Sequence, residues 1–339
     1  MVVKPKRKPF WASIAAPAIL LLLWIAMAIL VNPTGDFPLN DDWSFGRAVR
    51  TLVDEGKYSP TGWTSMPLLT HVLWGSLFCL PFGFSFTTLR VSTLVMGALG
   101  VLVTYGILRE IRGDTRIPFL GALVVAVNPL YFSLSHTFMT DVTFGGFSLL
   151  SLFYLVRGLE RGRPFELAAG HLLACCAALN RQLGIAIPLA FGAAYLVKNG
   201  LSIKNLLRAV LPFLLIIAVL GLYQRWLAST VGLPALYHQG NDALLYSLRH
   251  SGEAVQALVE RTGISSIYLG LFLLPFLIPF AVRLWRASGR RGKAGLLLGG
   301  LAFAPATWMM LAAFSDGLMP LSGNILYDLG LGPLVLRDT

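Results

Sequence analysis

The sequence predicts an all-α polytopic membrane protein, and its composition and patterning carry that prediction. Of the 339 residues, 56% are hydrophobic and only 13% are charged, and the mean hydropathy is +0.70. Soluble domains carry about 25% charged residues. The apolar residues stand in long runs, and the basic residues behind the net charge of +11 stand in short clusters between them. This distribution is typical of cytoplasmic loops and unlike a basic strip with interleaved aromatic residues, so we expect no nucleic-acid partner.

The first apolar run, residues 10–31, is predicted to be a transmembrane helix. A span needs about 20 apolar residues, whereas the core of a cleaved signal peptide has about 7–15. Asn32 and Pro33 follow the run without a small-residue cleavage site. We therefore expect a cytoplasmic basic tail over residues 1–9, followed by a retained first helix.

Eight further transmembrane helices are predicted within residues 86–314, so that residues 1–339 form a single membrane domain. The runs are 86–108, 117–136, 141–156, 165–180, 184–198, 209–227, 264–282 and 294–314. All three cysteines fall in apolar segments, without a CxxC pair or metal-ligand spacing. A disulfide framework is therefore not expected.

The first outer loop, residues 32–85, is predicted to hold two juxtamembrane helices. In residues 43–55 the apolar side chains repeat at helical spacing, and Gly56 is a suitable residue to end the helix. We expect this amphipathic helix to lie on the membrane with its apolar face down. The run 68–82 is shorter than a comfortable span, as interfacial segments are.

Basic residues decide whether the run 68–82 crosses the bilayer. If it does not cross, 18 of the 27 Lys and Arg residues lie on the cytoplasmic side and nine lie outside. If it crosses, the later loops are inverted and the split becomes 10 inside and 17 outside. Since cytoplasmic loops carry the excess of Lys and Arg, the first topology is predicted. Its N-terminus is cytoplasmic, and the tail 315–339 lies outside.

This topology brings the candidate functional residues to one face of the membrane. They are Asp41 and Asp42 in the first outer loop, His136 and Asp141 at one later turn, and Arg181 at the next. The long loop 228–263, with His238 and Asp242, lies on the same face. The topology is predicted from the Lys and Arg residues alone. The position of the acids on one face is therefore partly independent evidence for a functional site there.

Each candidate also has a structural interpretation. Asp41 and Asp42 could serve as helix caps, since carboxylates are favoured near a helix N-terminus. Asp141 could be an ordinary turn residue, although ionisable groups at membrane depth usually mark a functional site. Arg181 and Arg90 could anchor to lipid headgroups, but the guanidinium fork is also the preferred donor to phosphate. His136 could be a hydrogen-bonded interfacial residue or could assist Asp141.

The order and spacing of these residues resemble the GT-C glycosyltransferases, especially lipid A aminoarabinose transferases and protein O-mannosyltransferases. The acidic pair Asp41-Asp42 is followed by two juxtamembrane segments, then by Leu80-Pro-Phe-Gly83 with Arg90. A second Asp stands in Met139-Thr-Asp-Val142, and a basic residue opens a later turn at Arg181. The resemblance covers about residues 10–200. Asp42 stands where a Glu is more usual, and Arg181 stands where some relatives have Lys.

The resemblance implies an integral-membrane glycosyltransferase. The sugar, hexosyl or pentosyl, would come from a polyprenyl-phosphate donor and pass with inversion to a lipid, glycan or protein acceptor on the outer face of the plasma (inner) membrane. Asp41 and Asp141 would be catalytic, and Asp42, Arg181, Arg90 and His136 would bind substrate. The residues leave open whether Asp41 and Asp141 also share a divalent cation.

Two other classes of protein fit part of the sequence. A transporter or lipid flippase without covalent chemistry would explain the many spans and the ionisable residues, although these cluster on one face and few lie in the middle of the spans. A non-catalytic membrane scaffold would explain the helices but not Asp141 or Arg181. We therefore expect a transferase, and we retain the transporter or flippase as the alternative.

Overall fold

The computed structural model describes residues 10–237 and, beyond them, only single positions between 249 and 293 and the segment 282–289. The chain forms two compact units, Met1–Asn241 and Asp242–Thr339, and the elements below belong to the first. The predicted spans 264–282 and 294–314, the tail 315–339, and the residues His238 and Asp242 lie outside the continuously described part.

Over residues 10–237 the protein is built from α-helices, one short 3₁₀ helix at Gln182–Ile185 and connecting loops, with no β-strand. This confirms the predicted all-α class. The α-helices are α1 (Phe10–Val31), α2 (Asp42–Glu55), α3 (Leu69–Phe82), α4 (Phe86–Arg112), α5 (Arg116–Ala126), α6 (Pro129–Ser135), α7 (Thr140–Arg161), α8 (Pro164–Asn180), α9 (Ala186–Asn199) and α10 (Ile203–Thr230).

Four described helices are long and apolar enough to cross a membrane. They are Ile14–Val31 within α1, and the whole of α4, α7 and α10. With 17 and 14 residues, α8 and α9 are shorter than the roughly 20 residues of a typical span. The count of nine spans therefore stays a prediction.

The predicted span 117–136 is not one continuous helix, because the structure breaks it into α5 and α6 with a bend of 60°. Asn128 caps the start of α6, since its side chain accepts a hydrogen bond from Tyr131 N at 3.0 Å. Pro129 then occupies the first turn of α6, where its missing N–H is tolerated. The pair is either one broken span or a re-entrant segment.

The two helices predicted after α1 are present as α2 and α3. As predicted, α2 ends at Gly56, which adopts a left-handed φ of 69° and donates its N–H to Leu52 O. The prediction that α2 lays its apolar face on the membrane is wrong. Phe45, Ala48 and Val49 are buried in a protein core shared with α3, α4 and Phe138, because burial against these side chains removes them from both water and lipid.

Helices α7 and α8 form a closely packed antiparallel hairpin. Glycines make the close approach possible, since a Cβ on Gly170 would stand 2.6 Å from Leu155 Cγ. Ser151 Oγ adds a hydrogen bond of 2.7 Å to the carbonyl of Gly170. Small residues at such contacts let helix backbones approach. The hairpin turns at Gly162, so the start of α7 and the end of α8 meet at the opposite end.

Candidate active site

The α7–α8 hairpin brings Asp141 and Arg181 into contact. Asp141 lies in the first turn of α7, and Arg181 follows the last residue of α8. The guanidinium Nη1 of Arg181 donates to Asp141 Oδ1 at 2.5 Å. The side chains keep 27% and 35% of their surface exposed. The pair is therefore preformed and still open to a ligand.

A tight turn holds the backbone of Arg181 in place. Its N–H donates to Ala177 O at 2.9 Å, and its carbonyl accepts from Gly184 N at 2.9 Å. Gly184 folds back so closely that a Cβ there would stand 2.3 Å from Ala178 N. Only glycine fits such an approach of two backbones, so the guanidinium projects from a rigid base.

The two adjacent acids of the loop 32–68 have different surroundings. Asp42 is fully buried, and its carboxylate accepts from Leu39 N at 2.9 Å and from Asn40 N at 3.1 Å. A longer bond of 3.4 Å comes from Phe138 N, three residues before Asp141. Asp42 thus ties the start of α2 to the turn that carries Asp141.

Asp41, in contrast, is exposed. It occupies the N-cap position of α2, yet its side chain makes no capping hydrogen bond, and within the described part of the chain it has no side-chain partner. Capping therefore does not account for its carboxylate, which stays available to a ligand.

His71, a buried residue of α3, contacts the turn that carries Phe138. Its Nε2–H donates to Phe138 O at 3.1 Å, and its Nδ1 accepts from the Thr143 hydroxyl at 3.0 Å. The ring stacks on Phe138 with centroids 3.9 Å apart. Burial, with a smaller contribution from the charge of Arg181, lowers the pKa of His71 to about 3. The imidazole is therefore neutral and carries its proton on Nε2, because the carbonyl of Phe138 can only accept a hydrogen bond.

The loop before α3 is fastened to the end of α8, beside Arg181. Leu68 N donates to Asn180 O at 3.2 Å, and Gln182 Nε2 donates to Ser65 O at 3.3 Å. Leu68 adopts a left-handed φ of 63°, which costs about 1–2 kcal/mol for a non-glycine residue. Fully buried, Asn180 leaves both side-chain polar atoms without a protein partner among the described residues.

Arg90 and His136 are held by backbone carbonyls. The Arg90 guanidinium, in α4, donates to Pro33 O at 3.2 Å, to Gly35 O at 3.0 Å and to Phe37 O. It is 3% exposed, so it anchors the loop that leads to Asp41. His136 Nδ1 bonds Phe132 O at 2.9 Å, and its Nε2 is buried without a partner in the described residues.

The comparison with known families covers the region of the hairpin. Residues 66–227 match the family model of dolichyl-phosphate-mannose-protein mannosyltransferases. The match supports a membrane glycosyltransferase of the GT-C type. No curated protein and no solved structure matches the chain.

The mannosyltransferase match includes Asp141, Arg181 and His71 but begins after Asp41 and Asp42. The resemblance to GT-C enzymes is thus supported over residues 66–227, which are just under half of the chain. This region does not include the first acidic pair. The roles of Asp41 and Asp42 rest on their own geometry.

The candidate site contains no preformed set of metal ligands within the described residues. No group of three or more His, Cys, Asp or Glu side chains is placed to hold an ion within those residues. Asp141, one of the two acids that could share a cation, already pairs with Arg181.

Sequence reasoning missed His71 and Asn180 as members of the site. His71 lies in the apolar run 68–82, which the sequence predicts to be interfacial, but its side chain is fully buried. A lone histidine inside an apolar helix does signal a buried hydrogen-bond partner, but its partner on α7 is distant in sequence. Asn180, next to Arg181 at a helix end, gave no signal beyond that position.

Proposed function

We propose that this protein transfers a sugar from a polyprenyl-phosphate donor to a lipid, glycan or protein acceptor on the non-cytoplasmic face of the membrane. One observation carries the proposal. A preformed, partly exposed Asp141–Arg181 pair stands at one end of the helical hairpin, beside a turn that Asp42 joins to the start of α2 and His71 joins to α3. The transfer of a sugar from a phosphate donor requires a cation and acidic groups, and this site contains both.

Asp41 is proposed as the general base. It is exposed and makes no capping bond, so it can accept the proton of the acceptor hydroxyl. The acceptor oxygen then forms a bond to the anomeric carbon of the sugar. The bond from that carbon to the phosphate oxygen breaks, and its electron pair leaves with the polyprenyl phosphate. A single displacement of this kind inverts the configuration at the anomeric carbon.

Arg181 is proposed to bind the departing phosphate. Only its Nη1 is engaged by Asp141, so other N–H groups of the guanidinium remain for phosphate oxygens. Negative charge grows on the phosphate as its bond to the sugar breaks, and a fixed cation stabilises that charge most in the transition state. Asp141 would orient the guanidinium and face the positive charge that develops on the sugar ring.

We propose that Asp42, Arg90 and His136 support the site by their hydrogen bonds to the protein backbone. Asp42 holds the two segments of the site together through backbone N–H groups. Arg90 holds the loop 33–37 through its carbonyls. Arg90 Nε and His136 Nε2 are buried without a partner among the described residues, and of the two we assign His136 Nε2 to substrate.

The proposal is tested by measuring donor binding and donor-dependent transfer with Arg181 variants in one bilayer. Arg181→Ala should weaken donor affinity by about one to two orders of magnitude, because a charged hydrogen bond contributes roughly 1.5–3 kcal/mol. Arg181→Lys should give a smaller loss, since an ammonium cannot reproduce the fork. Arg225→Ala, which removes an exposed cation from α10, is the matched control. Unchanged affinity in Arg181→Ala would remove Arg181 from the site.

The alternative, a transporter or lipid flippase, predicts a different result. Reconstituted protein would then move the labelled donor across the bilayer without forming a glycosylated product. Product formation that depends on both donor and protein contradicts this alternative.

A further inference from the structure

A groove follows the exposed face of α2 and begins within one helical turn of Asp41. Its cavity is about 390 Å³, inside the roughly 300–1,000 Å³ range of small-molecule sites. Side chains of α2 and of the segment that opens α4 form its walls; among them are Trp43, Arg47, Thr51, Asp54, Phe84 and Phe86. At a rise of 1.5 Å per residue, the groove runs for about 17 Å from Trp43 to Asp54.

One cation in this groove has no partner within the described part of the chain. Arg50 bonds to Asp54 at 3.5 Å and lies 5.4 Å from the centre of the Phe84 ring. Among the described residues the guanidinium of Arg47 has neither a hydrogen bond nor an ion pair, although it lines the cavity. Asp54 balances the charge of Arg50, and Glu55, which also lines the groove, pairs with Lys57 at 3.8 Å. Arg47 therefore leaves the groove with a place for one anion.

The rest of the lining matches a carbohydrate. Trp43 is 38% exposed and meets Trp63, which is 65% exposed, edge to face at 6.5 Å. Aromatic surfaces of this kind offer apolar contact to the C–H faces of a sugar ring. Sugar hydroxyls both donate and accept hydrogen bonds, and the groove presents both a hydroxyl, Thr51, and a carboxylate, Asp54. A lipid tail would find little apolar surface beside these polar groups.

We propose that this groove binds the acceptor, and that the acceptor is a glycan that carries a carboxylate or phosphate group. The inference rests on the proposed transferase function and deepens it by naming the class of acceptor. Arg47 binds the anionic substituent, and Trp43 packs on a sugar ring. A neighbouring hydroxyl then reaches Asp41, two residues before Trp43.

The experiment measures binding of two trisaccharides to the full-length protein in phosphatidylcholine nanodiscs. Trigalacturonate carries carboxylates, and maltotriose is a neutral trisaccharide of the same length. Trigalacturonate should bind more tightly to the wild type. Its affinity should fall at least about tenfold in Arg47→Ala, as expected for one charged hydrogen bond, and by less in Arg47→Lys. Arg225→Ala, on an exposed residue outside the groove, should bind like the wild type.

Three results would overturn the inference. They are equal affinity for the two trisaccharides, an Arg47→Ala variant that binds like the wild type, and loss of trigalacturonate binding when phosphatidylglycerol is added to the nanodisc. The third would show that Arg47 binds a lipid headgroup. Donor affinity, measured in the same nanodiscs, separates the two proposals. Normal, Arg181-dependent donor binding without trisaccharide binding refutes the groove alone, whereas the reverse pattern refutes the donor site.

Discussion

Arg181 donates a hydrogen bond to Asp141 across 2.5 Å, although the residues are 40 positions apart in the chain. The pair exists because α7 and α8 fold back on each other and bring their far ends together. A charged pair that keeps 27% and 35% exposure contributes little to stability. The small contribution of this pair to folding is consistent with the proposed role in binding the donor phosphate.

Asp141→Asn should separate donor binding from catalysis. The amide oxygen can still accept from Arg181, but the carboxylate no longer competes with a phosphate for the guanidinium. Donor affinity should therefore be unchanged or higher, while the rate of transfer falls by about tenfold or more, as for a lost charged interaction. Binding and single-turnover assays on the same preparation measure the two quantities. A weaker donor affinity at an unchanged rate would contradict the roles given to this pair.

Asp41→Asn should abolish transfer without harming the fold. The side chain is exposed and makes no capping bond, so the melting temperature should stay at the wild-type value. Loss of a general base slows a reaction by about 10²–10⁴-fold. A transfer assay and a thermal melt in detergent check the two expectations. Wild-type transfer by this variant would exclude Asp41 as the base.

Asp42→Asn should behave differently, because it removes a structural link. An amide retains one acceptor oxygen, so its NH₂ group would face either Phe138 N–H or the N–H groups of Leu39 and Asn40. The loss should be about 1.5–3 kcal/mol of unfolding free energy, as for hydrogen bonds to a charged group. The melting temperature and the activity should fall together. An unchanged melting temperature would refute the structural role.

His71 should make the protein sensitive to acid. Its pKa of about 3 in the fold lies below the ordinary value of about 6.5, so the unfolded chain binds a proton that the folded protein does not. Stability is therefore complete above pH 6.5 and falls as the pH drops towards 3, by up to about 1.4 kcal/mol per pH unit. Thermal melts of solubilised wild type and His71→Gln between pH 7 and 5 test this. Equal pH slopes for the two proteins would contradict it.

Membrane topology can be tested with single cysteines in a variant lacking the three native ones. Lys57→Cys, in the loop after α2, should react with an impermeant reagent added to intact cells. Arg112→Cys, at the end of α4, should react only after permeabilisation. Arg112 is preferred to the adjacent Gly113 in the same loop. Gly113 has a φ of 69°, and a cysteine at that position would strain the backbone. Labelling of Arg112→Cys in intact cells would show that the predicted topology is inverted.

The sequence alone determined the class of the protein and most of its helices. Apolar composition and run length predict α1, α4, α7 and α10, because a bilayer requires long apolar segments with every backbone group bonded internally. Helical spacing and Gly56 predict α2 and its end. These signals are local, and they survive in any tertiary arrangement.

Only the tertiary structure decided which of two adjacent acids is free. Asp41 and Asp42 are equivalent in sequence, yet one is exposed and the other is buried under the turn that carries Phe138. The bend at Asn128, the burial of α2 against α3 and the contact of Arg181 with Asp141 were decided at the same level. Each depends on which distant segments pack together, and hydrophobic spacing along one helix carries no information about its partner.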